Sequence, residues 1–547
     1  MTNHFFSTFI KITLLLQLFI NLNVLGETPK TKLAVIIVVD QMRYDYLIRY
    51  AGYFDSGISN LLSNGAYFTE AYHDHAFTAT APGHATIATG CFPSKHGIVL
   101  NDYYDHSSKR VIYSCADDSS KIIGHPDLDG LSPIRLLRTG ISDWLKKNNS
   151  KSKIYCVSLK DRPSIMMGGQ NPDGVFWYDD NSGTYVTSEY YMNSYPAWVD
   201  SFNLSGSVLK HFGDDWEKHL NEDSYLISRE DDFPFENTRV GNTFPHKLKK
   251  DENDKKSFFK LFPYSPFGEE FNFDFAKSII KYANLGNDEN PDLLFIGCSS
   301  GDKLGHDFGP LSQEMQDYYL WLDKYIGEFL KYLDENVGKN NYVLAFSADH
   351  GTATVSEELQ RKGYDSKRIP YSEVKKNYAE AVEKAEKMLG LKNSILIKSA
   401  SNGMILNYAE ADEKNIPRAD LRKAVADALK NISFVADTYT IEELNNSGGK
   451  EYLENYKNNF LPERSYEILI RAKKYYTINH DNYGVNHGSP YDYDSHVPIV
   501  FYGPGIIPGK YNNRVSTVDI VPTLAEFLGI NFDKNIDGKS LLKIISK

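Results

Sequence analysis

The chain has 547 residues, 41% of them hydrophobic and 24% charged. That composition excludes a disordered or fibrous protein and leaves room for a large buried core. Lys and Arg number 60 against 72 Asp and Glu, a net charge of −12; with no long basic run to offset it, general nucleic-acid binding is not expected.

The amino terminus reads FIKITLLLQLFINLNVL over residues 9–25. This apolar stretch is short and broken by Gln17, Asn21 and Asn23, so it fits a signal-peptide core better than a membrane span of about 20 apolar residues. Residues 1–26 are read as a signal peptide and 27–547 as one catalytic domain, periplasmic or secreted, with no stable membrane span after processing. The four cysteines, at 91, 115, 156 and 298, match no zinc-knuckle or CxxC spacing. Cys91 and Cys115 are left open between a local pair and two small buried side chains.

In chain order, the first apolar run is Leu33–Val39, a buried strand ending in Asp40. Residues 77–84 read Phe-Thr-Ala-Thr-Ala-Pro-Gly-His and lead into a helical stretch up to Gly90. A hydroxyl at a helix start sits in the positive end of the helix dipole, which favours an alkoxide and an incoming phosphate. Thr78 and Thr80 are the candidates. Thr80 is preferred because Pro82 suits the first turn. Asn101, 21 residues on, could donate to a phosphoryl oxygen or make a turn with Asp102. A helix is expected over Ile134–Lys147 and a strand over Lys153–Leu159, the latter ending in Lys160-Asp161-Arg162.

Residues 168–270, rich in Tyr, Asp and Asn, read as a first cap insertion. A helix over Phe275–Ala283 follows, then a strand over Asp292–Gly297 that leads to Asp302 and His306. The i, i+4 spacing of that pair puts both side chains on one helical face. Helix Met315–Leu333 precedes strand Tyr342–Ser347, which runs into Asp349-His350-Gly351. Residues 356–480, with helices near 371–388 and 419–430, read as a second cap insertion. His487 lies in Asn-His-Gly, ahead of a last strand over Val497–Tyr502 and a helix over Asp519–Leu528; this strand, like the four apolar runs before it, reads as a buried parallel one. Alternating strands and helices imply an α/β fold: a mostly parallel central sheet with helices on both faces. In such sheets ligands bind beyond the carboxyl ends of the strands, where these polar groups fall.

Taken singly, each Asp or His could be an ordinary turn residue. As an ordered set, Asp40, Asp302, Asp349, His306, His350 and His487 supply six donors of the kind that suits Zn²⁺. Six are enough for two sites with open positions for substrate and nucleophile, and two metals about 4 Å apart can clamp both oxygens of a phosphoryl transfer.

The order Asp40, Thr80-Ala-Pro, Asp302-xxx-His306, Asp349-His350-Gly351, His487-Gly488 resembles the alkaline phosphatase superfamily from about residue 33 to 528. Within it, Lys160 and Arg162 of Ser158-Leu-Lys-Asp-Arg-Pro look like the cationic pair of the PafA-type secreted phosphomonoesterases. The resemblance implies an alkaline phosphatase-like sandwich with cap insertions and two Zn²⁺. It gives Asp40, Thr80, Asp349 and His350 to one zinc and Asp302, His306 and His487 to the other. Thr80 would form a covalent phospho-threonine. Asn101, Lys160 and Arg162 would bind the phosphoryl oxygens of small phosphate monoesters over a broad substrate range.

Cys91-x-Pro-x-Lys95 echoes the sulfatase motif but ends in Lys, and Thr80 already fills the nucleophile position. A diesterase of the same superfamily is the competing activity, and a metal-stabilised, inactive envelope protein is the competing class. His73 and His75 read as surface or cap residues, and His496 as an outer hydrogen-bond donor or a packed ring.

Overall fold

A computed structural model describes residues 31–546 apart from 238, 250–252 and 480; the expected signal peptide lies outside the described residues. The main sheet has nine strands: β1 (Leu33–Val39), β2 (Ala66–Tyr72), β3 (Ile154–Ser158), β4 (Gly174–Asp179), β5 (Thr184–Val186), β6 (Asp292–Cys298), β7 (Tyr342–Ser347), β8 (Ile499–Tyr502) and β9 (Gly509–Ser516). Their spatial order is β9-β2-β8-β7-β1-β6-β3-β4-β5.

Pairing is parallel throughout β7-β1-β6-β3-β4 and between β9 and β2. It is antiparallel where β8 meets β7 and β2, and where β5 meets β4. The fold is thus a mostly parallel α/β sheet, as the apolar runs predict. The expectation that Val497–Tyr502 is a parallel strand is corrected: β8 runs against both neighbours. An unbroken apolar run reports burial on two faces and carries no information about direction.

The side chains of β1 show why the run is unbroken. Leu33, Val35, Ile37 and Val39 enter one core cluster, with helices Phe267–Ala283 and Gln313–Leu333 packed over it. Ala34, Ile36 and Val38 enter a second on the opposite face, beneath helices Thr80–Thr89, Ile141–Asn148 and Ile520–Phe527. Strand alternation therefore sends apolar groups to two buried faces. The helix expected from Ile134 starts only at Ile141, just after Gly140, while the one expected from Phe275 begins two turns earlier, at Phe267.

Residues 174–186, inside the stretch 168–270, supply β4 and β5 of the main sheet. Residues 367–479 build a separate lobe. Its four-stranded antiparallel sheet, Leu396–Ala400, Gly403–Leu406, Ile468–Ala472 and Val435–Thr440, is covered by helices Tyr371–Leu389 and Arg418–Leu429 around its own core. All four cysteines are buried free thiols, so Cys91 and Cys115 take the unpaired alternative. Among the described residues, no helix is long and apolar enough to cross a membrane.

Candidate active site

Four neighbouring parallel strands, β7, β1, β6 and β3, end at one edge of the sheet, and each leads into a charged group. β1 is followed directly by Asp40. β6 runs into helix Ser300–Phe308, whose first turn holds Asp302 and whose last turn holds His306. β7 leads to Asp349 and His350, and β3 to Lys160 at the start of helix Asp161–Gly168.

These groups converge. Single ligand atoms of Asp302, His306 and His487 lie within 4.8 Å of one another, as do those of Asp40, Asp302 and His350. His306 Nε2 is 3.2 Å and His487 Nε2 3.6 Å from Asp302 Oδ1. His350 Nε2 is 3.4 Å from both Asp40 Oδ1 and Asp349 Oδ2. The rings of His350 and His487 stack with centroids 3.7 Å apart.

The donor set fits a metal for two reasons. First, each of the three histidines turns Nδ1 to a backbone carbonyl: His306 to Val485 (2.8 Å), His350 to Gly351 (2.9 Å) and His487 to Thr78 (2.8 Å). A proton held there leaves Nε2 as a bare lone pair facing the centre, the arrangement that fixes a metal-ligating tautomer. Second, buried Asp40 Oδ1, Asp349 Oδ2 and His350 Nε2 have no hydrogen-bond partner among the described residues, and buried polar atoms are rarely left so.

The electrostatics agree. Burial, then the charges of Asp302 and Asp349, push the Asp40 carboxyl well up. Burial raises Asp349 to about 7. Burial opposes ionisation of Asp302 as well, but Lys160 and His306 outweigh it and hold that carboxyl well below its ordinary value. Burial, with His306 nearby, lowers His487 to about 4. Three carboxylates packed together out of water call for cationic charge beyond one lysine.

That lysine is Lys160, whose Nζ lies 2.6 Å from Asp40 Oδ2 and also pairs with Asp302. It makes no ion pair with neighbouring Asp161, which instead accepts from Tyr113 OH at 2.5 Å. Arg162 donates to that same hydroxyl at 3.1 Å and stands over the Tyr113 ring. It touches none of Asp40, Asp302 and Asp349 but lines one cavity with Lys160, Asp302 and His306.

Thr80 is the first residue of helix Thr80–Thr89 and is buried. The helix comes close to Asp349 because residue 83 is glycine: a Cβ there would meet the Asp349 carbonyl oxygen at 2.2 Å. Asn101 Oδ1 accepts from Ala81 N at 2.8 Å, which sets the Asn101 amide beside Thr80.

Several contributors escape sequence reading. Gln41 sits in a left-handed conformation with φ of 66°, donates through Nε2 to Asp302 (2.8 Å) and through its backbone N–H to Asp349 (3.1 Å). A non-glycine residue there is a strained choice that marks functional sites, but φ is invisible in sequence. His84 turns Nδ1 to Thr80 O (2.8 Å), with Asp349 Oδ2 3.3 Å from the same nitrogen. His73 and His75 are fully buried, which corrects their reading as surface residues. His73 Nε2 donates to Ala348 O at 2.9 Å, and so holds the backbone before Asp349. His496 is a packed ring, stacked on Tyr44 and Tyr72.

The model of the type I phosphodiesterase / nucleotide pyrophosphatase family matches residues 34–491. Alkaline phosphatase PafA of Elizabethkingia meningoseptica is 34% identical over 95% of this chain and 96% of its own. Alkaline phosphatase PhoV of Synechococcus elongatus is 33% identical over 94% and 93%. The crystal structure of PafA superposes with a TM-score of 0.87 at 31% identity, covering 95% of this chain and all of that one. The chain therefore belongs to the type I phosphodiesterase / nucleotide pyrophosphatase family of the alkaline phosphatase superfamily, together with the alkaline phosphatases PafA and PhoV.

Proposed function

We propose that the chain is a zinc-dependent alkaline phosphatase that hydrolyses phosphate monoesters, over a broad range of small-molecule alcohols, through a phosphorylated Thr80. The supporting observation is the convergence of two Asp/His sets beside a cavity that Lys160 and Arg162 line together with Asp302 and His306. A monoester dianion exposes three unesterified oxygens and so needs more donors than a diester. Arg162 presents a planar fork for two of them, and Asn101, which accepts from Ala81 N, would offer its amide N–H as a further donor.

Asp40, Asp349, His350 and Thr80 would hold one Zn²⁺, and Asp302, His306 and His487 the other. When bound, the pair would supply Lewis acidity to both the attacking and the leaving oxygen. Thr80 Oγ attacks phosphorus in line from the helix start, where the dipole favours its ionised form. The P–O bond to the alcohol breaks as the bond to Thr80 forms, and the alcohol leaves with a proton. Water then cleaves the phospho-threonine and restores Thr80 with release of inorganic phosphate. Residues 1–26 would be a signal peptide directing the enzyme to the periplasm or outside the cell, and the lobe over residues 367–479 would cap the site.

An aryl phosphate should be hydrolysed far faster than its methyl aryl diester. Acid quenching during turnover should leave phosphate on Thr80 by mass spectrometry, and metal analysis should find about two zinc per chain. A wide preference for the diester would make the chain a phosphodiesterase. Zinc without turnover and without phospho-Thr80 would make it a binding protein.

A further inference from the structure

A cavity of about 380 Å³ opens beside the candidate centre, within the size range of small-molecule sites. It is lined by Asp302 and His306 of the second ligand set, and by none of Asp40, Thr80, Asp349 or His350. On the reading above, Thr80 attacks from the side of the first set. In-line displacement then puts the departing oxygen on the side of the second, so this cavity is where the alcohol sits. The inference rests on that reading.

Lys160 and Arg162 line the cavity at its phosphate end. Two more cations on the lining stand over one ring: Arg239 Cζ is 4.6 Å and Lys303 Nζ 5.0 Å from the Tyr264 ring centroid. Asp307 Oδ2 accepts from Arg239 Nε at 3.1 Å, and Asn237 Nδ2 donates to the other carboxylate oxygen at 2.8 Å. That clamp uses Nε, and both Nη groups of Arg239 have no partner among the described residues. Lys303 has no ion-pair partner among them either. Of the carboxylates on the lining, Asp302 is paired with Lys160 and Asp307 with Arg239; Asp481 stands at the exposed rim, as Arg239 does. Lys303 therefore adds a cationic charge that no lining carboxylate pairs, and the Arg239 fork keeps open donors beside it.

We infer that this cavity selects phosphate monoesters whose alcohol carries a second anionic group, which Lys303 and the Arg239 fork receive. A carboxylate or a further phosphoryl group on the alcohol gains charge-assisted hydrogen bonds there, while the Tyr264 ring keeps both cations in place.

The test uses two esters that differ only in charge, 4-carboxyphenyl phosphate and 4-carbamoylphenyl phosphate, with the full chain. The ratio of their kcat/KM values should favour the carboxylate by about tenfold. Lys303→Gln and Arg239→Gln should each reduce that ratio at least threefold, and the double variant should bring it near one. Because the ratio is internal to each preparation, partial misfolding does not alter it. Dissociation constants for both esters, measured by calorimetry on the Thr80→Ala enzyme, should show the same preference. A ratio near one in the unmodified enzyme, or a preference that survives both substitutions, overturns the inference. If neither ester is hydrolysed, the phosphatase reading fails on its own and the calorimetric preference still decides the cavity's selectivity.

Discussion

Arg162 is held by a single aromatic residue. Tyr113 accepts from its Nη1, lies under its guanidinium and donates to Asp161, so one hydroxyl links two charges of the Lys160-Asp161-Arg162 turn. Tyr113→Phe keeps the ring and removes the link. A hydrogen bond to a charged group contributes about 1.5–3 kcal/mol, and part of that would be recovered by the guanidinium settling elsewhere. The expected outcome is a three- to tenfold fall in kcat/KM for an aryl phosphate, with a smaller fall for the methyl aryl diester, which has fewer oxygens for Arg162 to bind. Equal falls for both esters would assign Tyr113 a purely structural role. None of this was legible in the sequence, where Tyr113 is one of 38 tyrosines. The metal-ligand candidates were legible because each stands in a short motif close to a strand end or a turn. Gln41 and His84 were not, because their roles come from contacts more than 250 residues away in the chain.

At the scale of elements, the buried parallel strands read clearly and the outer ones did not. β1 and β7 occupy the predicted spans, since a strand covered on both faces is apolar at every position. β2 (AYFTEAY) and β9 (GKYNNRVS) carry polar residues among apolar ones, which blurs them into loop, and β8 kept its place but not its direction. The segment after β5 reads as polar because it is fastened by ion pairs and rings. His211 stacks on Phe267 with centroids 4.0 Å apart, and its Nε2 lies 2.6 Å from Glu270 in the first turn of helix Phe267–Ala283.

Burial works against ionisation of Glu270, but the hydrogen bonds from His211 and Lys210 outweigh it and bring the carboxyl down to about 2. A depressed folded value means the contact stabilises fully above the ordinary glutamate range near 4.5 and weakens as pH falls toward 2. The Tm difference between the unmodified protein and Glu270→Gln should therefore be largest near pH 6 and shrink below pH 4.5. A difference that stays constant across that window would remove Glu270 from the account.

Across the whole molecule, the lobe over residues 367–479 has a core of its own, yet it meets the main body through a mixed cluster. There Phe77 and Tyr104 pack with Ile405, Tyr439, Tyr456 and Leu469. At its centre Asn459, almost fully buried, accepts from Phe77 N at 3.1 Å and donates to Val99 O at 3.1 Å. Phe77 precedes Thr78, whose carbonyl fixes the His487 tautomer, and stands three residues before Thr80. The lobe thus supports the segment that carries Thr80, a dependence that composition and motif spacing cannot reveal. Asn459→Ala leaves two buried backbone groups unpaired, each costing about 1–3 kcal/mol. The variant should melt several degrees lower, and amide exchange should quicken over residues 77–80. Helices Tyr371–Leu389 and Arg418–Leu429 should keep their protection, because their packing lies within the separate core. Faster exchange spread evenly through the lobe would mean that Asn459 holds the lobe itself together, and the proposed support of Thr80 would fall.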